Sequence, residues 1–121
     1  MQRPRKVLIV DDDENLCYIL AASLRMRGWE PLSAGTFADA VKAVRSGFDV
    51  VLLDLGLPDS EPMSTIERIG RLRWDAEKVY IMTGSPVDEE FIQLCMDHGA
   101  AGVMSKNAQE FRAGLTSVFG K

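Results

Sequence analysis

Three features of the chain predict an α/β domain built on a parallel sheet covered on both faces. Strand-like and helix-like segments alternate five times along 121 residues. The clearest strand, Asp49-Val50-Val51-Leu52-Leu53-Asp54, is an aliphatic run too short for a helix, which marks a strand buried on both sides. Residues with chemistry to offer then fall at or just past the ends of the predicted strands.

Each element follows from local pattern. Lys6 to Val10 is β-branched and aliphatic and stops at Asp11-Asp12-Asp13, because acids cannot continue a buried strand. A helix follows, with Leu16, Ile19, Leu20, Ser23 and Leu24 at helical spacing and Gly28 as its stop. Glu30 to Ala34 reads as a weaker strand near an edge. Thr36 and Asp39 form the ends of a capping box before the apolar stripe Phe37, Ala40, Val41 and Val44. After the Asp49–Asp54 strand and the loop from Gly56 to Ser60, a helix is expected from about Glu61 to Arg73, with Pro62 suited to its first turn. Val79 to Met82 is the fourth strand, ending at Thr83-Gly84-Ser85. Ser85-Pro86-Val87-Asp88 then has the form of a helix start, and that helix runs to His98 before Gly99. Ala101 to Ser105 is a short fifth strand followed by Lys106. Asn107 and Glu110 suggest a last capping box, with Phe111, Leu115, Val118 and Phe119 on the buried face.

Composition narrows the function classes. Hydrophobic residues make up 46% and charged residues 26%, as in ordinary globular proteins, and no linker or repeat divides a single domain over 1–121. No apolar run is long enough to span a bilayer and no signal-peptide pattern is present, so a cytoplasmic protein without membrane association is expected. Net charge is −4. Beyond Arg3, Arg5 and Lys6 at the N-terminus no basic stripe stands out, and the group Arg68, Arg71 and Arg73 reads as a solvated face, which argues against direct nucleic-acid binding. Cys17 and Cys95 lie in predicted helices without metal-ligand spacing and read as reduced, small hydrophobes.

Asp11, Asp12, Asp54, Thr83 and Lys106 each lie at the carboxyl end of a predicted strand. In an open parallel sheet those ends share one edge, where ligands bind. Three clustered carboxylates repel one another, and a hard divalent cation such as Mg²⁺ resolves the conflict with oxygen ligands. The remaining groups then make sense as a phosphoryl site. Asp54 is the carboxylate nucleophile, Lys106 neutralises charge on the transferring group, Thr83 donates a hydrogen bond, and Gly84 leaves room. No glycine-rich nucleotide-binding motif is present.

With these residues in place, the chain resembles the receiver domain of two-component response regulators across nearly its whole length. The matching motifs are Val10-Asp11-Asp12, Asp54-x-x-Leu57-Pro58, Thr83-Gly84 and Lys106. The resemblance implies a flavodoxin-like (βα)5 three-layer sandwich with strand order 2-1-3-4-5. It implies that Asp54 accepts a phosphoryl group from a phosphohistidine on a sensor histidine kinase or a histidine phosphotransfer protein. It also implies Mg²⁺ held by Asp12, Asp54 and the Gly56 carbonyl, with Asp11 acting mostly through water. Such a domain catalyses only its own phosphorylation and dephosphorylation, and signals to an output domain or downstream protein, with homodimerisation on phosphorylation left open.

Three positions depart from the family pattern. Val103 stands where an aromatic residue is common, Asn107 where proline follows the lysine, and Pro62 where glycine is frequent. On the fourth predicted helix, Ile92 and Met96 occupy a different side from Phe91, Leu94 and Cys95, so one side is partly exposed. The family often uses this helix, the fifth strand and the last helix for output. His98, the single histidine, sits at a helix end, so the chain carries no phosphohistidine donor of its own. Two alternatives stand beside the main expectation. One is a haloacid-dehalogenase-like phosphatase with Asp11 or Asp13 as nucleophile; the other is a receiver-like interaction module with weak switching.

Overall fold

The computed structural model describes residues 5–120, the Ala108 side chain excepted, so Arg3 of the N-terminal basic group lies outside it. Five strands, β1 (Arg5–Val10), β2 (Trp29–Ala34), β3 (Phe48–Asp54), β4 (Ala76–Thr83) and β5 (Gly102–Ser105), form one sheet. All pairings are parallel and the order is β2-β1-β3-β4-β5. Between and after them run α1 (Glu14–Met26), α2 (Phe37–Ala43), α3 (Pro62–Glu67), α4 (Ile69–Arg73), α5 (Glu89–Asp97) and α6 (Ala108–Phe119), with a short 3₁₀ turn at Val44–Ser46.

Alternation of side chains along each strand splits the core into two layers. Leu8, Val10, Val51, Leu53 and Ile81 point to the side covered by α2 through α5, where Phe37, Ile66, Leu72 and Cys95 are buried. Val7, Ile9, Val50, Leu52 and Met82 point to the other side, against Leu20 and Leu24 of α1 and Leu115 and Phe119 of α6. Every residue of β3 is buried, as its unbroken aliphatic run predicts. The end of α6 is tied to the start of β2 and the end of α1: Trp29 packs edge-on against Phe119 at 4.8 Å, and Arg27 Nε donates to the Gly120 carbonyl at 2.7 Å. At the rim, β2 carries Pro31, buried and paired in register with Val7.

Several local expectations need correction. The helix after β3 is two segments, broken at Arg68 (φ −103°, ψ 11°), whose Nε donates to the Ser64 carbonyl. α5 starts at Glu89 and not after Ser85: the Asp88 carboxylate is the cap, accepting from the Phe91 N–H at 2.8 Å. Asn107 precedes α6 but makes no side-chain cap. Ile19 is exposed, and Cys17 takes the inward place on α1. β4 begins three residues earlier than its hydrophobic run, at Ala76. Thr36 and Gly28 behave as predicted. Thr36 Oγ1 accepts from the Asp39 N–H at 3.0 Å, and Gly28 closes α1 at φ +85°.

Candidate functional site

The site grows out of strand ends. β1 is fully buried from Val7 to Val10, and Asp11 extends it by one step, its N–H donating to the Ala34 carbonyl at 3.0 Å. The three consecutive acids then part company. Asp11 stays buried and its Oδ1 accepts from the Asp13 N–H at 2.9 Å. Asp12 is exposed. Asp13 caps α1, accepting from the Leu16 N–H at 3.1 Å. Asp54 and Thr83 are the last residues of β3 and β4, and both are buried. Lys106 follows β5 and keeps the ladder going, its N–H donating to the Thr83 carbonyl at 2.8 Å. The Lys106–Asn107 peptide is trans, as is every other described peptide bond.

These residues meet. Lys106 Nζ lies 2.7 Å from Asp11 Oδ2 and 2.8 Å from Asp54 Oδ1. Burial alone would lower the pKa of the ammonium, but its hydrogen bonds to Asp11 and Asp54 and the charges of both outweigh burial and hold it above its ordinary value. Carboxylate oxygens of Asp11, Asp12 and Asp54 all lie within 4.8 Å of one another. Three carboxylates against one ammonium leave a formal excess of two negative charges. An all-oxygen set of this kind fits a hard divalent cation.

Asp54 also lines an open cleft of about 590 Å³ together with Gly56, Thr83, Gly84, Phe91 and Lys106. Asp11 and Asp12 line a different cleft, toward α1 and the residues after β2. Thr83 Oγ1 accepts from the Ser85 N–H at 3.1 Å, which holds the hydroxyl at the rim of the Asp54 cleft. At Gly56 a Cβ would come within 3.3 Å of Asp54 Oδ2, so a larger residue there would press on the carboxylate.

The structure therefore brings Asp11, Asp12, Asp54, Thr83, Gly56 and Lys106 to one edge. His98 sits beyond the far end of α5, whose nine residues run roughly 13 Å away from the cleft at 1.5 Å per residue. Arg5 and Lys6 lie over the rings of Trp29 and Phe48, at 4.4 and 4.6 Å. Sequence reasoning missed three neighbours of the site. Cys17 Sγ donates to the Asp11 carbonyl at 3.3 Å, and burial first, then Asp11 and Asp13, push the thiol up to about 11. Phe91 walls the cleft. Asp59 ties the loop after β3 to α2, through partners more than twenty residues away that no local pattern announces.

Residues 7–114 match the family model described as the response regulator receiver domain. The chain belongs to that family. This receiver domain is 35% identical over 116 residues to the transcriptional regulatory protein KdpE of Mycobacterium tuberculosis, covering 93% of the chain and 50% of that protein. It thus spans about half the length of the curated relatives it matches. Among solved structures, a CheY-like response regulator receiver domain protein from Methanospirillum hungatei matches with a TM-score of 0.79 and 26% identity, over 96% of this chain and 91% of that one. A Burkholderia pseudomallei response regulator, solved with a phosphorylated aspartic acid, a calcium ion and citrate, matches with a TM-score of 0.76 and 25% identity, over 93% and 65% of the two chains. The flavodoxin-like strand order is the one these relatives imply. Among the described residues, no helix is long and apolar enough to cross a membrane.

Proposed function

We propose that Asp54 is the phosphoacceptor of this receiver domain, and that the donor is a phosphohistidine on a sensor histidine kinase or histidine phosphotransfer protein. One observation carries the assignment: of the three clustered carboxylates, Asp54 is the one that lines the cleft with Thr83, Gly84 and Lys106. The phosphorylated aspartate of the Burkholderia relative points the same way. The phosphatase alternative would need Asp11 or Asp13. The Asp13 carboxylate is occupied at the α1 cap, and Asp11 lines the other cleft, which has neither Thr83 nor Lys106 in its wall.

In the proposed reaction an Asp54 oxygen attacks phosphorus and forms an O–P bond as the P–N bond to the donor imidazole breaks, its electron pair returning to the ring nitrogen. Lys106, already beside Asp54, stays with the negative oxygens of the transferred group, and Thr83 donates a hydrogen bond to one of them. Asp12, Asp54 and the Gly56 carbonyl would hold Mg²⁺ directly and Asp11 through water; the cation supplies further neutralisation of the phosphoryl oxygens. Water later cleaves the acyl phosphate, so the domain, residues 1–121 as one unit, turns over only its own modification. New bonds from Thr83 and Lys106 bias the α5, β5 and α6 face toward an output domain or a separate protein in the cytoplasm. A homodimer on this face is one form such output takes.

The test is incubation with Mg²⁺ and acetyl phosphate, followed by peptide mass mapping. The phosphoryl label is expected on the peptide holding Asp54 and absent from Asp54→Asn. Label that persists in that variant, on Asp11 or Asp13, would overturn the assignment. The alternative of weak switching is favoured by Val103 in place of an aromatic. It predicts full labelling with unchanged amide exchange in α5.

A further inference from the structure

We infer that Asp59 is a positioning residue for the cation site, holding the loop that carries Gly56 through a latch to the start of α2. The inference rests on the proposed ligation of Mg²⁺ by the Gly56 carbonyl.

The first N–H groups of a helix have no partner within it. In α2 the local cap Thr36 takes only one of them, that of Asp39. The two before it, Phe37 and Ala38, donate to Asp59 Oδ1 and Oδ2 at 2.8 and 3.0 Å. Asp59 is 22 and 21 residues away from them and lies in the loop between β3 and α3. Both carboxylate oxygens thus take the two N–H groups that Thr36 leaves open, so one contact caps α2 and ties the loop down at the same time.

A second set of contacts closes the latch from the other side. The Arg68 guanidinium lies 4.2 Å over the Phe37 ring, and its Nη2 donates to Ser60 Oγ at 2.5 Å. Ser60 Oγ and Thr65 Oγ1 are 2.6 Å apart, and both residues are buried. The Phe37 N–H first, then Ala38, with Arg68 adding its charge, hold the Asp59 carboxyl below its ordinary value against the opposing pull of burial. The break between α3 and α4 falls at Arg68 itself, so the residue that departs from helical geometry is the one that reaches back to the loop.

The consequence for Gly56 is geometric. Asp54 is fixed at the end of β3, and residues 59 and 60 are fixed by the latch, with four residues between them. Of these, Leu55 and Leu57 are buried. Gly56 is therefore held between two buried neighbours on a short span anchored at both ends. Releasing Asp59 frees one anchor, and the carbonyl proposed as a ligand loses its fixed place. Positioning partners of metal ligands are known to change affinity by about tenfold or more.

Calorimetric titration of the protein with Mg²⁺ alone tests this without any phosphoryl donor. Asp59→Ala is expected to weaken Mg²⁺ binding about tenfold, and Arg68→Gln about threefold, with Asp59→Asn between Asp59→Ala and wild type because its amide oxygen can still accept from one N–H. Amide exchange at Phe37 and Ala38 reports the latch directly, and should quicken in the Asp59 variants. Faster exchange with unchanged Mg²⁺ affinity would overturn the inference and reduce Asp59 to a helix cap. Asp12→Asn provides the separate control for the metal reading. If wild type and Asp12→Asn bind Mg²⁺ equally, or wild type binds none, the proposed cation site falls and this inference with it. Should Asp59→Ala fail to fold, the Asp59→Asn and Arg68→Gln titrations decide.

Discussion

Lys106→Met isolates the charge that holds the acidic site together. The methionine keeps the length of the stem and removes the ammonium. Two contacts go with it, at 2.7 and 2.8 Å, and each charge-assisted bond is worth about 1.5–3 kcal/mol. The partners left behind are two carboxylates only 3% and 6% exposed, and stripping the counter-charge from a buried pair costs about 3–5 kcal/mol. The lysine side chain is 23% exposed and the cluster opens to solvent at Asp12, so screening brings the expected loss in the metal-free protein to about 2–3 kcal/mol. That corresponds to roughly 10 °C in Tm. Urea unfolding at pH 7 with chelator, followed by the emission of the buried Trp29, measures it; the exposed Trp74 contributes a nearly constant background. Mg²⁺ then provides the second arm. A divalent ion supplies the positive charge that the variant lacks, so the penalty should shrink as Mg²⁺ is added. A metal-free loss below about 0.5 kcal/mol would refute the ion-pair account, since that is the scale of an ordinary surface substitution. So would a penalty indifferent to Mg²⁺.

Other outcomes follow from the same geometry. Gly56→Ala places a Cβ 3.3 Å from Asp54 Oδ2 and is expected to slow acetyl phosphate labelling of Asp54 several-fold while shifting stability by less than about 1 kcal/mol. Asp88→Ala should cost about 1 kcal/mol in urea unfolding as the true cap of α5, whereas Ser85→Ala should stay within about 0.5 kcal/mol. Cys17, pushed up to about 11, should be alkylated at pH 8 in the metal-free protein roughly a hundredfold more slowly than in the unfolded chain, from thiolate fraction alone. The Asp59 carboxyl is held below its ordinary value of 3.8 in the folded state. Its contribution to stability is therefore present above that value and lost as pH falls through the lower folded pKa. The Asp59→Asn penalty should be evident at pH 6 and fade under strong acid, as read by unfolding at each pH.

What the sequence made legible was whatever depends on short-range pattern. The unbroken aliphatic run of β3 announced a doubly covered strand, and acids, a threonine and a lysine after strands announced one working edge. The start of α5 was misread because Ser85 and Asp88 are both good caps, and Pro86 favoured the earlier one. Only the geometry of the Phe91 N–H decides between them. Arg68 carries no helix-breaking chemistry of its own. At the break Arg68 contacts Ser60 and Phe37, residues that only the fold brings near. Asp59 escaped for the same reason. A loop acid after a proline is unremarkable until α2 is placed beside it.

Pro31 has a consequence for how this domain behaves at high concentration. β2 forms one rim of the sheet, and a rim is an open row of backbone groups on which a strand from another molecule can template itself. Proline offers no N–H, so the row is interrupted mid-strand, next to the exposed Leu32 that would otherwise make this rim adhesive. The residue that looks like a weakness in β2 thus acts as a guard against sheet-to-sheet growth at this rim.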